Sequence, residues 1–379
     1  MPTCHPVVRR DGGGQAGRAS LDAIAETLAS ASRTAYTSTA MDLFYDVSYN
    51  ELKRWLEERG EPAYRAEQIF EWAYRRIAGS FEEMTNLPKD LRAALADDLT
   101  IGPFGPVAEQ ADPEAHKMLL AMPGGGEVEC VAMRMSGYTS ACLSSQVGCA
   151  VGCIFCASTI GGCDRNLTAG EILLQLISLR AAEGPIRNAV FMGMGEAFHN
   201  YEAVCESIQR MTDERAMGMS PRHIAVSTAG VVPMIHRYAT EGPPTELAVS
   251  LGSAKQETRD MLMPGVSRWD LGDLMAACYA FSEARGGQPV TFAYVMLAGI
   301  NDQRHDVDRL KRLLAAQPHH LNLIPYNEVP ECPFEAPDEE TVSDFYHRCR
   351  EAGLNVSVRR SRGQAIDAAC GQLRRRTSR

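Results

Sequence analysis

Leu52, Trp55 and Leu56, then Ile69, Phe70, Ala73 and Tyr74, recur at helical spacing between Tyr49 and Ile77. Apolar residues three and four apart predict helices with one buried face. The Gly60-Glu61-Pro62 break divides this stretch into two helices, and a third is expected from about Lys89 to Leu99, after Leu87-Pro88. The Gly102-Pro103 and Gly105-Pro106 pairs close this helical region. From 115 to 143 the rhythm becomes that of strands: HKMLLAM, a Gly124-Gly125-Gly126 turn, then EVECVAMRM. Further on, strand and helix patterns take turns. Thr168 and Glu171 form a capping box before EILLQLISLRAA. Strands are expected at NAVFMG, RHIAVST, TELAVSLG, PVTFAYVML and HLNLIPY, with helices such as YEAVCESIQRM, WDLGDLMAACYAFSEA and DVDRLKRLLAA between them. That succession predicts a parallel α/β sheet or barrel, in which sites gather at the C-terminal ends of strands. Residues 1–40 show no apolar period and are expected to be a disordered tail.

Composition narrows the setting. No apolar run approaches bilayer length, and the opening MPTCHPVVRRDGGGQAGRAS lacks the apolar segment of a signal peptide. A cytoplasmic protein is expected, with no membrane partner. In that reducing compartment twelve cysteines point to metal binding or catalysis more than to a disulfide framework. The net charge of −10 argues against a large nucleic-acid footprint. Local clusters run the other way: Arg359, Arg360 and Arg362 lie together, and Arg374, Arg375, Arg376 and Arg379 end the chain. The bland reading of such a tail is a solubilising charged end.

Cysteine spacing changes the picture most. Within CLSSQVGCAVGCIFC, the residues Cys149, Cys153 and Cys156 fall in a C-x3-C-x2-C pattern, while Cys142 fits no ligand spacing. A zinc site would need a fourth ligand from a distant Cys or His. A [4Fe–4S] cluster has one position per iron, so three thiolates leave one iron open. The spacing, with Phe155 before the last cysteine, resembles the signature of radical S-adenosylmethionine (SAM) enzymes, in which SAM chelates that open iron. FMGMGE, with Gly193, Gly195 and Glu196 after a strand, suits a loop holding the SAM methionyl amine. Alone it would be only a tight turn. Cys370, in IDAACGQL, would by itself be a small buried hydrophobe among alanines.

In their order, CLSSQVGCAVGCIFC, MGMGE, STAGVVP, NLIPYN and IDAACGQL resemble the RlmN/Cfr family of radical SAM methyltransferases, and EPAYRAEQI and FEEMTNLPKDLR extend the resemblance into the helical region. The resemblance implies a partial (β/α)6 barrel with a small N-terminal all-helical domain. The chain then divides into a tail (1–40), a helical accessory domain with an RNA-binding role (41–105), and a catalytic domain ending in a methyl-carrier loop (106–379). It implies methylation of an adenine ring carbon, C8 ahead of C2, in 23S rRNA at the peptidyl-transferase centre. A [4Fe–4S] cluster and two SAM molecules per turnover serve the reaction. One SAM methylates Cys370; reductive cleavage of a second gives a 5′-deoxyadenosyl radical that activates the S-methyl group for addition to the ring. Glu129 is the implied proton acceptor, and Cys142 the thiolate that resolves the covalent intermediate through a transient disulfide with Cys370. Carried over onto matching positions, SAM contacts are Gly195, Glu196, Ser227, Ser250, Leu251, Gly252 and Asn327. Partners are 23S rRNA, with tRNA as a further candidate, and an external electron donor such as flavodoxin or ferredoxin; a monomer is expected. Cys4, Cys163, Cys205, Cys278, Cys332 and Cys349 are read as structural or incidental, and Cys130 has no matched role.

The chain departs from the family at several points. Ala197 follows the Gly-Glu pair as in Cfr-type members, and MTDERAMGMSPRHIAVST is also Cfr-like, whereas VRRSRG before IDAACGQL is RlmN-like. Gly252 stands where both subgroups carry His, and Pro264-Gly265-Val266 replaces Pro-Ile-Asn. Two other readings stay open: the same chemistry on tRNA or a small adenine nucleoside, and a non-catalytic iron–sulfur or zinc RNA-binding protein.

Overall fold

Helix α1 (Tyr49–Glu58) begins where Ser48 and Glu51 form a reciprocal capping box, which satisfies two amides that a helix start leaves open. The structure is a computed structural model and describes residues 42–359 and 362–373. The tail 1–40, with Cys4, lies outside the described residues, as do Arg360 and the terminal Arg374, Arg375, Arg376 and Arg379. Helix α2 (Arg65–Phe70) runs on through a π turn to Arg75, and α3 spans Lys89–Asp98. The break and the third helix thus fall where periodicity predicts them. Strand β1 (Asp42–Leu43) pairs in parallel with β2 (Leu99–Thr100), joining the two ends of this segment. Phe44, Tyr45, Phe70, Tyr74 and Phe81 form its buried aromatic core, with Phe44 edge-on to Tyr45, Phe70 and Phe81.

The remaining elements build one ten-stranded sheet. Strands β3 (Ala108–Ala111), β4 (Ala115–Ala121), β5 (Glu127–Met135) and β6 (Tyr138–Cys142) are antiparallel neighbours. Strands β7 (Gln146–Gly148) and β8 (Cys163–Asn166) pair separately at the two ends of the cysteine loop. Beyond it, helices α4 (Ala169–Glu183), α5 (Tyr201–Thr212), α6 (Val232–Glu241), α7 (Gln256–Leu262), α8 (Leu271–Ala284), α9 (Arg304–Leu314) and α10 (Glu339–Glu351) separate β9 (Asn188–Phe191), β10 (Ile224–Thr228), β11 (Glu246–Ser250), β12 (Val290–Met296), β13 (His319–Pro325) and β14 (Val356–Val358). Strand β9 pairs in parallel with β6, and β10 to β14 follow in order, all parallel. This is the expected α/β partial barrel. The strands at 115–143 extend it at the β9 edge, through β6, as an antiparallel meander.

Alternation along the strands creates the two faces. In β12, Val290, Phe292, Tyr294 and Met296 are fully buried on one side, while Thr291, Ala293 and Val295 are half-buried on the other and line a cavity. The helical segment packs onto the barrel within the same compact unit. The Asp46 carboxylate accepts from Gly170 N at 2.6 Å and Thr168 Oγ1 at 2.9 Å at the start of α4, where the helix dipole favours negative charge. Arg210 donates to Val47 O at 2.6 Å and Arg180 to Tyr74 O at 3.0 Å. Among the described residues no helix is long and apolar enough to cross a membrane.

Candidate active site

Two cavities open at the C-terminal ends of the parallel strands. The inner one, about 170 Å³, is lined by Cys149, Cys153 and Cys156 together with Gly195, Glu196, Ser227, Ser250 and Asn327. The outer one, about 410 Å³, is lined by Met133, Tyr138, Ser140, Cys142, Val190 and Arg362 among others. Met192, Asn322, Ile324, Arg359 and Cys370 line both, so the cavities meet at Cys370. Leu251 and Gly252 line neither: Leu251 is buried and its N–H donates to Ala293 O at 2.9 Å.

The cysteine loop is held by its own backbone, with Cys149 N donating to Gly162 O at 3.0 Å and Cys156 N to Cys153 O at 3.1 Å. Burial pushes all three thiols up, Cys149 to about 12. A site that disfavours the bare thiolate so strongly suits cysteines that are deprotonated by binding a metal. Among the described residues no three His, Cys, Asp or Glu side chains converge on a point fit for a single ion. The thiols instead share a cavity wall opposite the glycine loop, an arrangement that fits a group larger than one ion.

Gly195 cannot be replaced in that loop without movement. Its φ is +104°, and an added Cβ would lie 2.7 Å from the Gln146 side chain. Glu196, 3% exposed, buckles two strand ends together: Oε1 accepts from Phe198 N at 2.9 Å and Oε2 from Ala229 N at 2.6 Å. Its carboxyl is held above the usual range by burial, against which those amides pull. Gly252 explains one departure from the family. With φ at +68° and Met263 Sδ 2.8 Å from where a Cβ would stand, a His here would require the backbone and Met263 to shift.

The Cys370 loop is pinned from three directions. Ala157 N donates to Gly371 O at 2.8 Å and Ser158 Oγ to Leu373 O at 2.6 Å, both from beside the cysteine loop. Asn327 Nδ2 donates to Cys370 O at 3.1 Å, while its Oδ1 accepts from Gln364 Nε2 at 2.8 Å. On the far side Lys117 Nζ donates to Asp367 O at 3.0 Å. Lys117 also meets Glu129 Oε1 at 3.3 Å, an ion pair whose side chains are 6% and 2% exposed. Glu129 lines neither main cavity; it borders a crevice of about 10 Å³ with Lys117. It shares a strand face with Val131, which stands opposite Cys142.

Cys142 is 7% exposed. Burial first, then the neighbouring Cys370 thiol, push it up to about 12, while Arg359 and the Met192 backbone N–H pull the other way. Sequence reasoning sees Arg359 only as part of a basic cluster and misses Lys117. Strand alternation is the signal that could place both on the site face.

Residues 42–101 match the family described as the ribosomal RNA large subunit methyltransferase N-terminal domain, and residues 143–311 match the radical SAM superfamily. The chain is 41% identical over 335 residues to a probable dual-specificity RNA methyltransferase RlmN of Halalkalibacterium halodurans, covering 87% of this chain and 92% of that one. It is 38% identical, with the same coverage, to the protein of that name in Staphylococcus aureus. Among solved structures, a radical SAM methyltransferase from Sphaerobacter thermophilus superposes with a TM-score of 0.84 at 43% identity, covering 88% of this chain and 99% of that one. The chain belongs to the RlmN family of radical SAM methyltransferases.

Proposed function

We propose that this protein methylates a ring carbon of an adenine in 23S rRNA at the peptidyl-transferase centre, and an adenine of tRNA as a second RNA substrate, by way of a methyl group carried on Cys370. The observation that carries this reading is the position of Cys370: it lines both cavities, whereas Cys142 lines only the outer one and the three clustered cysteines only the inner one. The dual-specificity RNA methyltransferases among its RlmN relatives support two kinds of RNA substrate. The helical segment 41–105 is read as the RNA-binding domain and 106–379 as the catalytic domain.

Cys149, Cys153 and Cys156 would hold the [4Fe–4S] cluster; Gly195, Glu196, Ser227, Ser250 and Asn327 would line the SAM site, with Leu251 and Gly252 shaping the strand end behind it. Bound there, the cluster and SAM supply the methyl group and the one-electron chemistry that makes its carbon reactive. Cys370 receives the methyl on sulfur at the junction of the two cavities. The adenine lies in the outer cavity, against the apolar wall of Met133, Met135, Val190 and Met192. Joining the ring carbon to the Cys370 methylene leaves one unpaired electron, which would return to the cluster site; Glu129, outside the outer cavity and paired with Lys117 until it is protonated, is the assigned acceptor of the ring proton. The Cys142 thiolate then forms an S–S bond with Cys370. The S–C electron pair leaves with the carbon, which takes up a proton to become the methyl group, and an external dithiol reductant restores both cysteines. Electrons come from a flavodoxin- or ferredoxin-type donor, and the chain acts as a monomer.

Mass spectrometry of nucleoside digests tests this. Methyladenosine should be present in 23S rRNA and tRNA from cells carrying the gene and absent after its deletion. The same digest identifies the ring carbon, with 8-methyladenosine expected from Ala197 and the Cfr-like MTDERAMGMS stretch. One observation favours a second reading, the methylation of a small nucleoside. Cations that the helical segment could offer to RNA are paired with acids: Lys53 with Glu57, Arg59 with Asp98, Arg65 with Glu61 and Arg76 with Glu71. Unmodified RNA beside a methylated nucleoside pool would replace the first reading with the second.

A further inference from the structure

Arg359 follows the last residue of β14, and its N–H donates to Leu323 O at 2.8 Å, prolonging the β13–β14 pairing by one step. By strand alternation its side chain points the same way as Asn322 and Ile324 on β13, and like them it lines both cavities. Its N–H groups meet thioethers there: Nη1 is 3.6 Å from Met192 Sδ and Nη2 is 4.0 Å from Met133 Sδ. A thioether is a weak acceptor, and a guanidinium offers five donors. Among the described residues no carboxylate stands within ion-pair distance of Arg359. The neighbouring cations differ. Arg362 is held by Glu114 at 3.3 Å and by Arg134 O at 3.1 Å, and Lys117 by Glu129 and Asp367 O. Cys142 and Cys370 both lie close enough to interact electrostatically with the Arg359 charge.

We propose that Arg359 is a positioning residue shared by both thiol steps: one guanidinium serves as counter-ion to whichever of Cys370 and Cys142 is deprotonated, and passes to Cys142 when the carrier sulfur becomes alkylated. Arg359 is half-buried, and a charge partly withdrawn from water without a carboxylate partner is costly, so a cation that shares a cavity wall with two thiols and touches two thioethers is suited to a transient anion. The Cys370 sulfur, when charged, opposes ionisation of Cys142. Alkylation of Cys370 turns its sulfur into a neutral thioether, which removes that opposition and leaves the whole Arg359 charge to Cys142. The resolving thiolate is therefore favoured only once there is an intermediate to resolve. The other titratable groups facing Cys142 do not supply this charge. Cys130, on β5, is a thiol pushed high by burial, Tyr138 is a phenol four residues before Cys142 on β6, and Lys117 and Glu129 are paired with each other.

The proposal rests on the roles assigned above to the two thiols, but its test needs no turnover. In the cluster-loaded protein, the rate at which iodoacetamide alkylates Cys142 is followed by peptide mass spectrometry from neutral to mildly alkaline pH. Cys370→Ala, which frees Arg359 for Cys142, should raise the rate. Adding Arg359→Gln should lower it again and move the profile to higher pH, while Arg359→Lys should keep most of the rate. An opposite charge this close shifts a titration by about 1–3 units. Lost thiolate is partly offset by its greater nucleophilicity, so the net loss is about threefold to fourfold per unit. Iron content and melting temperature confirm that the variants fold. A Cys142 rate and pH profile unchanged by Arg359→Gln would overturn the proposal. So would unchanged alkylation with weakened RNA binding, which would make Arg359 a phosphate contact. If Cys142→Ala formed product normally, the thiol roles would fall, whatever Arg359 does to alkylation.

Discussion

At Cys142 the demands of packing and chemistry oppose each other. In the role proposed for it the thiol attacks sulfur as a thiolate, yet burial pushes it up to about 12, so only a small fraction is ionised near neutrality. Where release limits turnover, resolution of the RNA adduct should quicken by about tenfold per pH unit through the neutral to mildly alkaline range, as the thiolate fraction does. Single-turnover measurement of adduct decay checks this slope. Cys142→Ala should remove the step altogether and accumulate a covalent protein–RNA species, seen as a nuclease-sensitive shifted band on a denaturing gel. A thiol that merely packs the core would give lower stability with normal turnover and no shifted band. The cluster cysteines act at a different stage. Changing Cys149, Cys153 or Cys156 to Ala should abolish iron binding and reductive SAM cleavage, against about four irons per chain in the reconstituted wild type.

Between elements, the pair Lys117–Glu129 ties β4 and β5 to the carrier loop. Both side chains are almost wholly buried, so Lys117→Met strips the ammonium from a carboxylate far from water and frees the Asp367 carbonyl. Removing one partner of a buried ion pair costs about 3–5 kcal/mol, and denaturant unfolding should show a loss of that order. Adding Glu129→Leu should recover much of it, because the orphaned charge goes too; a second loss of equal size would contradict this account. The helices of the small domain and the barrel strands were legible in the sequence because periodicity is a local signal. The cluster cysteines were legible because their spacing is short. Lys117 and Arg359 were not legible as part of a site, and Glu129 only through the family resemblance, since β4, β5 and the end of β14 meet only through the sheet. The antiparallel meander at 115–143 reads as strands, but nothing in its alternation says that its last strand, β6, pairs with β9. Asp367, with φ at +50° beside the carrier cysteine, carries no sequence mark of that turn either.

For the whole molecule the open question is how a chain of net charge −10 engages RNA. The small domain holds the expected cations, but Arg75 is turned toward the barrel, donating to Ala216 O at 3.3 Å. Arg59 and Arg76 are paired with Asp98 at 3.1 Å and Glu71 at 2.7 Å, each stacked on a tryptophan, Trp55 and Trp72. Exposed pairs of this kind are worth about 1 kcal/mol or less, so a phosphate can displace the carboxylate. An arginine already lying on an aromatic ring is also preset to stack on a base. Removing the acids should therefore release the cations for RNA. Glu71→Gln with Asp98→Asn should tighten binding of a 23S rRNA fragment at low salt and steepen its dependence on salt, by a log–log slope of roughly 0.7–0.9 for each phosphate newly engaged. Arg59→Gln with Arg76→Gln should do the reverse while leaving iron content unchanged. If neither pair alters the slope, this face of the helical segment does not touch RNA, and the outer cavity must receive its adenine by another surface.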